Sequence, residues 1–79
     1  MVRILLFAGL AQQAGTQDIS INVNTPISII EMKKKLQEKF GHLNGLDNCL
    51  TAINEEYANE SSMVKAGDTL AFIPPVSGG

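Results

Sequence analysis

The 79-residue sequence has no tryptophan, one tyrosine, one histidine (His42) and one cysteine (Cys49). A lone cysteine excludes an internal disulfide, so nothing points to a secreted, disulfide-stapled scaffold. One histidine and one cysteine do not supply the clustered imidazole and thiolate ligands of a metal site, and none is expected. No apolar run approaches the ~20 residues that cross a bilayer. The apolar start, Met1 to Ala8, is short and lacks the basic flank of a signal peptide. A basic excess is missing too: six Lys and Arg against eight Asp and Glu leave a formal charge of −2. That argues against nucleic acid or an anionic membrane as the main partner. The expected compartment is the cytoplasm.

The chain also lacks a self-contained catalytic set, which would need converging acid, base or nucleophile. His42 follows a helix in a polar stretch and reads as a surface-loop residue. Cys49 opens an apolar strand with no basic neighbour in sequence and reads as a small buried core residue. Lys33-Lys34-Lys35 reads as a solvated helix face. There is no glycine-rich phosphate loop.

What is present suffices for one small domain, since apolar residues make up 44% of the chain, an ordinary share for a globular protein. Val2 to Ala8 is rich in large apolar and β-branched residues and predicts a strand, with Val2, Ile4 and Leu6 facing one way and Arg3, Leu5 and Phe7 the other. Gly9 to Ala14 predicts a short helix closed by Gly15. Gln17 to Val23 alternates Ile19, Ile21 and Val23 with polar residues, the pattern of a half-buried strand. Ser28 with Glu31 forms a capping-box pattern, and Thr25 before Pro26 is a rival cap. Either starts a helix to about Phe40, with Ile29, Met32, Leu36 and Phe40 on one stripe. Gly41 to Asn48 reads as loop, Cys49 to Ile53 as a strand, Tyr57-Ala58 as a very short one, and Thr69 to Ile73 as the last. Met63 or Val64 is expected to tuck inward. The order β, β, α, β, short β, β leaves one helical stripe that a sheet must cover. The expected class is α+β: a β-grasp, ubiquitin-like roll in which a mixed sheet of about 4–5 strands packs on one main helix. Residues 1–74 would form the domain and 75–79 a flexible tail.

Chemistry is left to the end of the chain, Pro74-Pro75-Val76-Ser77-Gly78-Gly79. The prolines favour an extended course at ~3.1 Å per residue, so Pro75 to Gly79 would project ~15 Å from the fold. Without Cβ atoms, Gly78 and Gly79 let a terminal carboxylate pass down a narrow channel. Activated as an adenylate, that carboxylate could be attacked by a thiol, persulfide or amine. A frayed end is the competing reading. Phe7, Tyr57 and Ile73, facing away from the helix near the base of the tail, would form a docking patch, unless a loop covers them.

These segments resemble a known family, the small sulfur-carrying subunits of molybdopterin synthase, the MoaD-type ubiquitin-like proteins. The resemblance rests on Val2 to Ala8, the Ser28 to Leu36 helix opening, Ala52-Ile53-Asn54-Glu55-Glu56-Tyr57, and Lys65-Ala66-Gly67-Asp68-Thr69-Leu70. The ending Phe-x-Pro-Pro-Val-x-Gly-Gly is its most specific part. It implies a β-grasp fold and an E1-like adenylating enzyme that uses ATP to activate Gly79. A sulfur donor protein would then convert the carboxylate to a thiocarboxylate. The tail, Pro74, Pro75, Val76, Ser77, Gly78 and Gly79, would enter the large synthase subunit and give sulfur to cyclic pyranopterin monophosphate, building the molybdopterin dithiolene. Two small and two large subunits would form a heterotetramer. Phe7 matches an apolar interface position of the family; Tyr57 and Ile73 fall at two others, where these residue types are not the commonest. The resemblance implies no cofactor on this chain and places catalytic side chains on the large subunit. A carrier for thiamin thiazole synthesis would share Gly-Gly, but those chains are generally shorter and usually lack Pro-Pro-Val. A protein modifier joined to lysines through Gly79 is the alternative of a different class. A purely structural domain would leave the Gly-Gly end unexplained.

Overall fold

The alternation in the first strand decides which side of the sheet becomes the core. In the computed structural model, which describes residues 1–41 and 43–74, β1 (Val2–Leu6) buries Val2, Ile4 and Leu6 on one face. It is followed by a seven-residue helix, α1 (Ala8–Ala14), ended by Gly15 at φ 78, and by β2 (Asp18–Ile21). The chain continues through β3 (Ile27–Ser28), the main helix α2 (Ile29–Phe40), a 3-10 turn at Leu46–Asn48, β4 (Leu50–Ile53), β5 (Glu56–Ala58), β6 (Met63–Val64) and β7 (Thr69–Ile73).

Five strands form one mixed sheet in the order β2-β1-β7-β4-β5. β1 and β7 run parallel at its centre, with Arg3 opposite Thr69 and Leu6 opposite Phe72; the other pairings in this sheet are antiparallel. Leu70 and Phe72 therefore share a face with Ile4 and Leu6, and α2 lies against it through Ile29, Met32 and Leu36, all fully buried. Burying side chains of this size stabilises by roughly 1.5–3 kcal/mol each. The expected β-grasp roll is what forms, with β1, β2 and β4 one to three residues shorter than the sequence pattern suggests, β5 one residue longer and β7 as expected.

Ser28 is the cap that starts α2: its hydroxyl accepts from the Glu31 N–H at 3.2 Å, while Thr25 lies outside the helix. Two other free N–H groups of the first turn are met from the linker, Ile29 by the Ser62 carbonyl at 3.1 Å and Ile30 by that of Glu60 at 3.3 Å. That linker contributes β6, which pairs antiparallel with β3 and buries Val64 beside Ile27, leaving Met63 exposed. This two-stranded ribbon has no counterpart in the sequence reading, because two residues are too few to show a period.

The lysine run departs from expectation at one position. Lys34 and Lys35 are solvated, but Lys33 is only 6% exposed. The ammonium reaches Glu60 at 3.2 Å, so the long stem packs on the core edge while the charge is paired at its rim. The loop after α2 is held by two glutamine amides acting as strand mimics. The Gln37 side chain accepts from Leu43 N–H at 2.8 Å and donates back to the Leu43 carbonyl at 3.4 Å. Gln13 treats Asn44 the same way at 2.8 and 3.0 Å. His42 lies outside the described residues.

Asp68 ties the start of β7 to two turns. Its buried carboxylate accepts from the Lys65 N–H at 2.9 Å and from the Asn54 amide at 3.0 Å, and Asn54 in turn accepts from Thr69 N–H at 2.9 Å. Gly67, at φ 95, closes the turn, a conformation that suits glycine. The Lys65 N–H foremost, then Asn54, holds the Asp68 carboxyl below its ordinary value of 3.8 despite burial.

Leu36→Ala should lower stability by ~2–5 kcal/mol, since the cavity it leaves is enclosed. Ile30→Ala, at a position 43% exposed, should cost less than about 1 kcal/mol; urea midpoints of the two variants check the contrast. Asp68 gives a pH signature. Its depressed folded-state pKa contributes stability that is present above 3.8 and lost as pH falls through the folded value. Asp68→Ala should cost ~1–3 kcal/mol at neutral pH and flatten the acid limb of a Tm-against-pH curve.

Candidate functional site

The sheet face turned away from α2 carries large apolar side chains with no element among the described residues packed over them. The register sets them in rows. Leu5 lies opposite Ala71, Ala71 opposite Ala52, and Ala52 opposite Tyr57. One row nearer the carboxyl end of β7, Leu50 lies opposite Ile73, with Phe7 directly after β1 on the other side of that strand. Small alanines along the middle flanked by larger side chains leave a shallow groove of about 630 Å³ that includes Leu5, Phe7, Tyr57 and Ile73.

Phe7, Tyr57 and Ile73, which the sequence picks out, are thus brought to one surface. Phe7 is 44% and Tyr57 77% exposed, and Ile73 is half-buried. Sequence reasoning passed over Leu50, which is 50% exposed and stands directly opposite Ile73. The signal was available: once Thr51 and Ile53 are assigned inward, alternation sends Leu50 and Ala52 outward.

Backbone strain is concentrated around this face. Among the described residues, the non-glycine ones with positive φ are Ala8, at 51°, and the turn pair Asn54 and Glu55, at 50° and 72°. Ala8 follows Phe7, whose extended backbone ends the first strand just as α1 begins. Asn54 and Glu55 are the two-residue loop of the β4–β5 hairpin, where a positive φ at both positions matches the strand twist. Asn tolerates the left-handed region; Ala and Glu hold it at a cost of order 1–2 kcal/mol.

One end of the groove is polar. Arg3 donates from Nε to Asp18 Oδ2 at 2.8 Å across the β1–β2 pair, and the same carboxylate accepts a second bond from the guanidinium. These bonds raise the Arg3 pKa and lower that of Asp18. Glu55 stands at the same end of the sheet, on the other side of β7 from Arg3, and no described residue pairs with its carboxylate.

Groups that would do chemistry do not converge here. Cys49 is half-buried, not fully buried as the sequence suggested. Its thiol donates to the Gly45 carbonyl at 3.3 Å. Partial burial pushes its pKa up, against a smaller opposing effect of Lys33, the basic neighbour that the fold rather than the sequence supplies. Among the described residues no group of three or more His, Cys, Asp or Glu could hold a metal ion, and no helix is long and apolar enough to cross a membrane. Pro74, half-buried, is the last described residue of the tail. Pro75, Val76, Ser77, Gly78 and Gly79 lie outside the described residues. β7 ends at Ile73, opposite Leu50 and one position beyond the Leu6–Phe72 pair that Phe7 follows, and Pro74 comes next in the chain, so the apolar patch and the root of the tail are contiguous.

A family model described as ThiS family matches residues 4–79. A molybdopterin synthase sulfur carrier subunit of Drosophila sechellia is 40% identical over 99% of this chain and 90% of its own length. Among solved structures, a protein–protein complex of subunits 1 and 2 of the molybdopterin-converting factor of Helicobacter pylori contains a chain 29% identical to this one. It superposes with a TM-score of 0.69 over 99% of this chain and 97% of that one. The small archaeal modifier protein 1 of H. volcanii is 27% identical, with a TM-score of 0.79 over 95% of this chain and 97% of its own. With the family model matching residues 4–79 and a relative 40% identical aligned over nearly the whole length, the chain belongs to the ThiS family, as a MoaD-type ubiquitin-like protein.

Proposed function

We propose that this chain is the sulfur carrier subunit of a molybdopterin synthase and that its chemistry is carried on the Gly79 carboxylate. The observation that carries this reading is the apolar outer face running directly into the root of a Pro-Pro-Val-Ser-Gly-Gly tail, in a fold whose described residues bring no catalytic set together. A relative 40% identical bears that function in its name, and the family match runs through Gly79. An E1-like enzyme adenylates the carboxylate at the expense of ATP, releasing pyrophosphate. A persulfide on a donor protein displaces AMP to form an acyl disulfide, and a thiol cleaves its S–S bond, leaving the thiocarboxylate and a disulfide. The thiocarboxylate gives its sulfur to cyclic pyranopterin monophosphate in the large subunit, and water restores the Gly79 carboxylate. The neighbour solved as a complex of subunits 1 and 2 supports such a partner. Phe7, Tyr57 and Ile73 dock the carrier, and the tail from Pro74 to Gly79 reaches the reaction centre. Two carriers and two large subunits complete the assembly. The chain itself is substrate and product; acid and base come from its partners, and neither a metal nor another cofactor is held on it.

A second reading has an observation of its own: the likeness to a small archaeal modifier protein. The same adenylate attacked by a lysine amine would form an isopeptide bond instead of a thiocarboxylate.

Incubated with its activating enzyme, ATP and a sulfur donor, the intact chain should gain the mass difference between sulfur and oxygen. Deleting Gly79 should abolish both the adduct and molybdopterin formation. No adduct, with cofactor synthesis intact in the deletion, would sink the carrier reading. High-mass conjugates lost on the same deletion would favour the modifier. Tyr57→Ala should weaken binding to the large subunit by ~30-fold, the scale of an interface hot spot, with its Tm unchanged.

A further inference from the structure

Glu55 is an unusual residue for its place. The second position of a hairpin turn with positive φ at both residues is where glycine is favoured, yet this chain holds a glutamate there at φ 72. The side chain is exposed, borders the groove beside Tyr57, and meets no cation among the described residues. The one basic side chain in the groove, Arg3, is already bound to Asp18 through two hydrogen bonds. Arg3 and Asp18 pair with each other, and Asn54 and Thr69 are neutral, so Glu55 is the one unpaired charge among the described residues that line the groove. Exposed strain of this kind is retained where something outside the fold uses it.

We infer that Glu55 is a specificity-determining contact of the docking face. It accepts a charge-assisted hydrogen bond from an arginine or lysine of the large synthase subunit, which covers Leu5, Tyr57 and Ile73 with apolar side chains. The inference rests on the proposed docking of this face to that subunit and adds what the subunit must present: a cation at the Asn54–Glu55 corner, beyond the rim of the apolar contact. A carboxylate there steers a basic partner and rejects an acidic one. A glycine would fold better and select nothing.

Three variants separate charge from strain. Glu55→Gln keeps the strained backbone and removes the charge. It should leave Tm unchanged and weaken binding to the large subunit ~10-fold at low salt, the loss shrinking as salt is raised. Glu55→Lys should weaken it ~100-fold or more through like-charge contact. Glu55→Gly should raise Tm by about 4 °C or more through relief of strain, while weakening binding as Glu55→Gln does. Gain in stability with loss of association is a combination that a merely structural turn residue would not give. Wild-type affinity in Glu55→Lys, with Tyr57→Ala still impaired, would overturn the role of Glu55 and leave the docking reading standing. No binding by the wild-type chain would overturn both. If Glu55→Lys left binding to the large subunit intact but abolished self-association in sedimentation, the occupant would be a second copy of this chain, and the inference would be wrong.

Discussion

The fold depends on the parallel pairing of its first and last strands. β1 and β7 are separated by most of the chain, yet their register, Arg3 on Thr69 through Leu6 on Phe72, fixes every other relation in the sheet. β2 is added to the free side of β1, and β4 with β5 to the free side of β7. A slip of one residue would turn Phe72 out to solvent and Ile73 into the core. The burial of Ile4, Leu6, Leu70 and Phe72 under α2 forbids that slip, and the same constraint delivers Phe7, Ile73 and Pro74 to one end of one face. Core packing and placement of the tail root thus follow from one interaction.

The two faces of the sheet are built for different purposes. The inner face is filled by close-packed aliphatic side chains and one phenylalanine, with buried polar groups satisfied: Asp68 by two donors, and Lys33 by a glutamate at the rim. The outer face keeps apolar groups uncovered, and the strained non-glycine positions lie around it. Such a surface is unfavourable in an isolated domain and makes sense in one completed by another protein.

Much of this was legible in the sequence. The strict alternation of Ile19, Ile21 and Val23, the 3- and 4-residue spacing of Ile29, Met32 and Leu36, and the Ser28 cap gave the elements, because period and capping chemistry are local signals. The single wide stripe then left few ways to cover α2. Other features depend on contacts between distant residues. The β3–β6 ribbon is two residues long on each side, too short for a pattern. Lys33 looks like its neighbours Lys34 and Lys35 until the linker brings Glu60 to it. Leu50 joins the outer face by alternation once the pairing of Thr51 with Phe72 and of Ile53 with Leu70 settles which residues of β4 point inward. The strain at Ala8 and Glu55 is invisible in residue types that are common elsewhere. For the tail, the sequence offers a motif, and its residues beyond Pro74 lie outside the described structure.

The parallel alignment of β1 and β7 also sets the polarity of the molecule. Met1, exposed and bonded through its carbonyl to the Gly67 N–H at 2.9 Å, lies where β7 begins, and Pro74 lies where β7 ends. Five strand residues separate those points, a span of roughly 17 Å at the usual rise. A fluorophore or affinity handle attached through Met1 therefore stands at the pole opposite the tail root and the Phe7–Leu50–Ile73 patch. A label there leaves the tail root clear but neighbours the Asn54–Glu55 turn, which Asn54 ties to Thr69 at the start of β7, so it reports on that corner of the docking face.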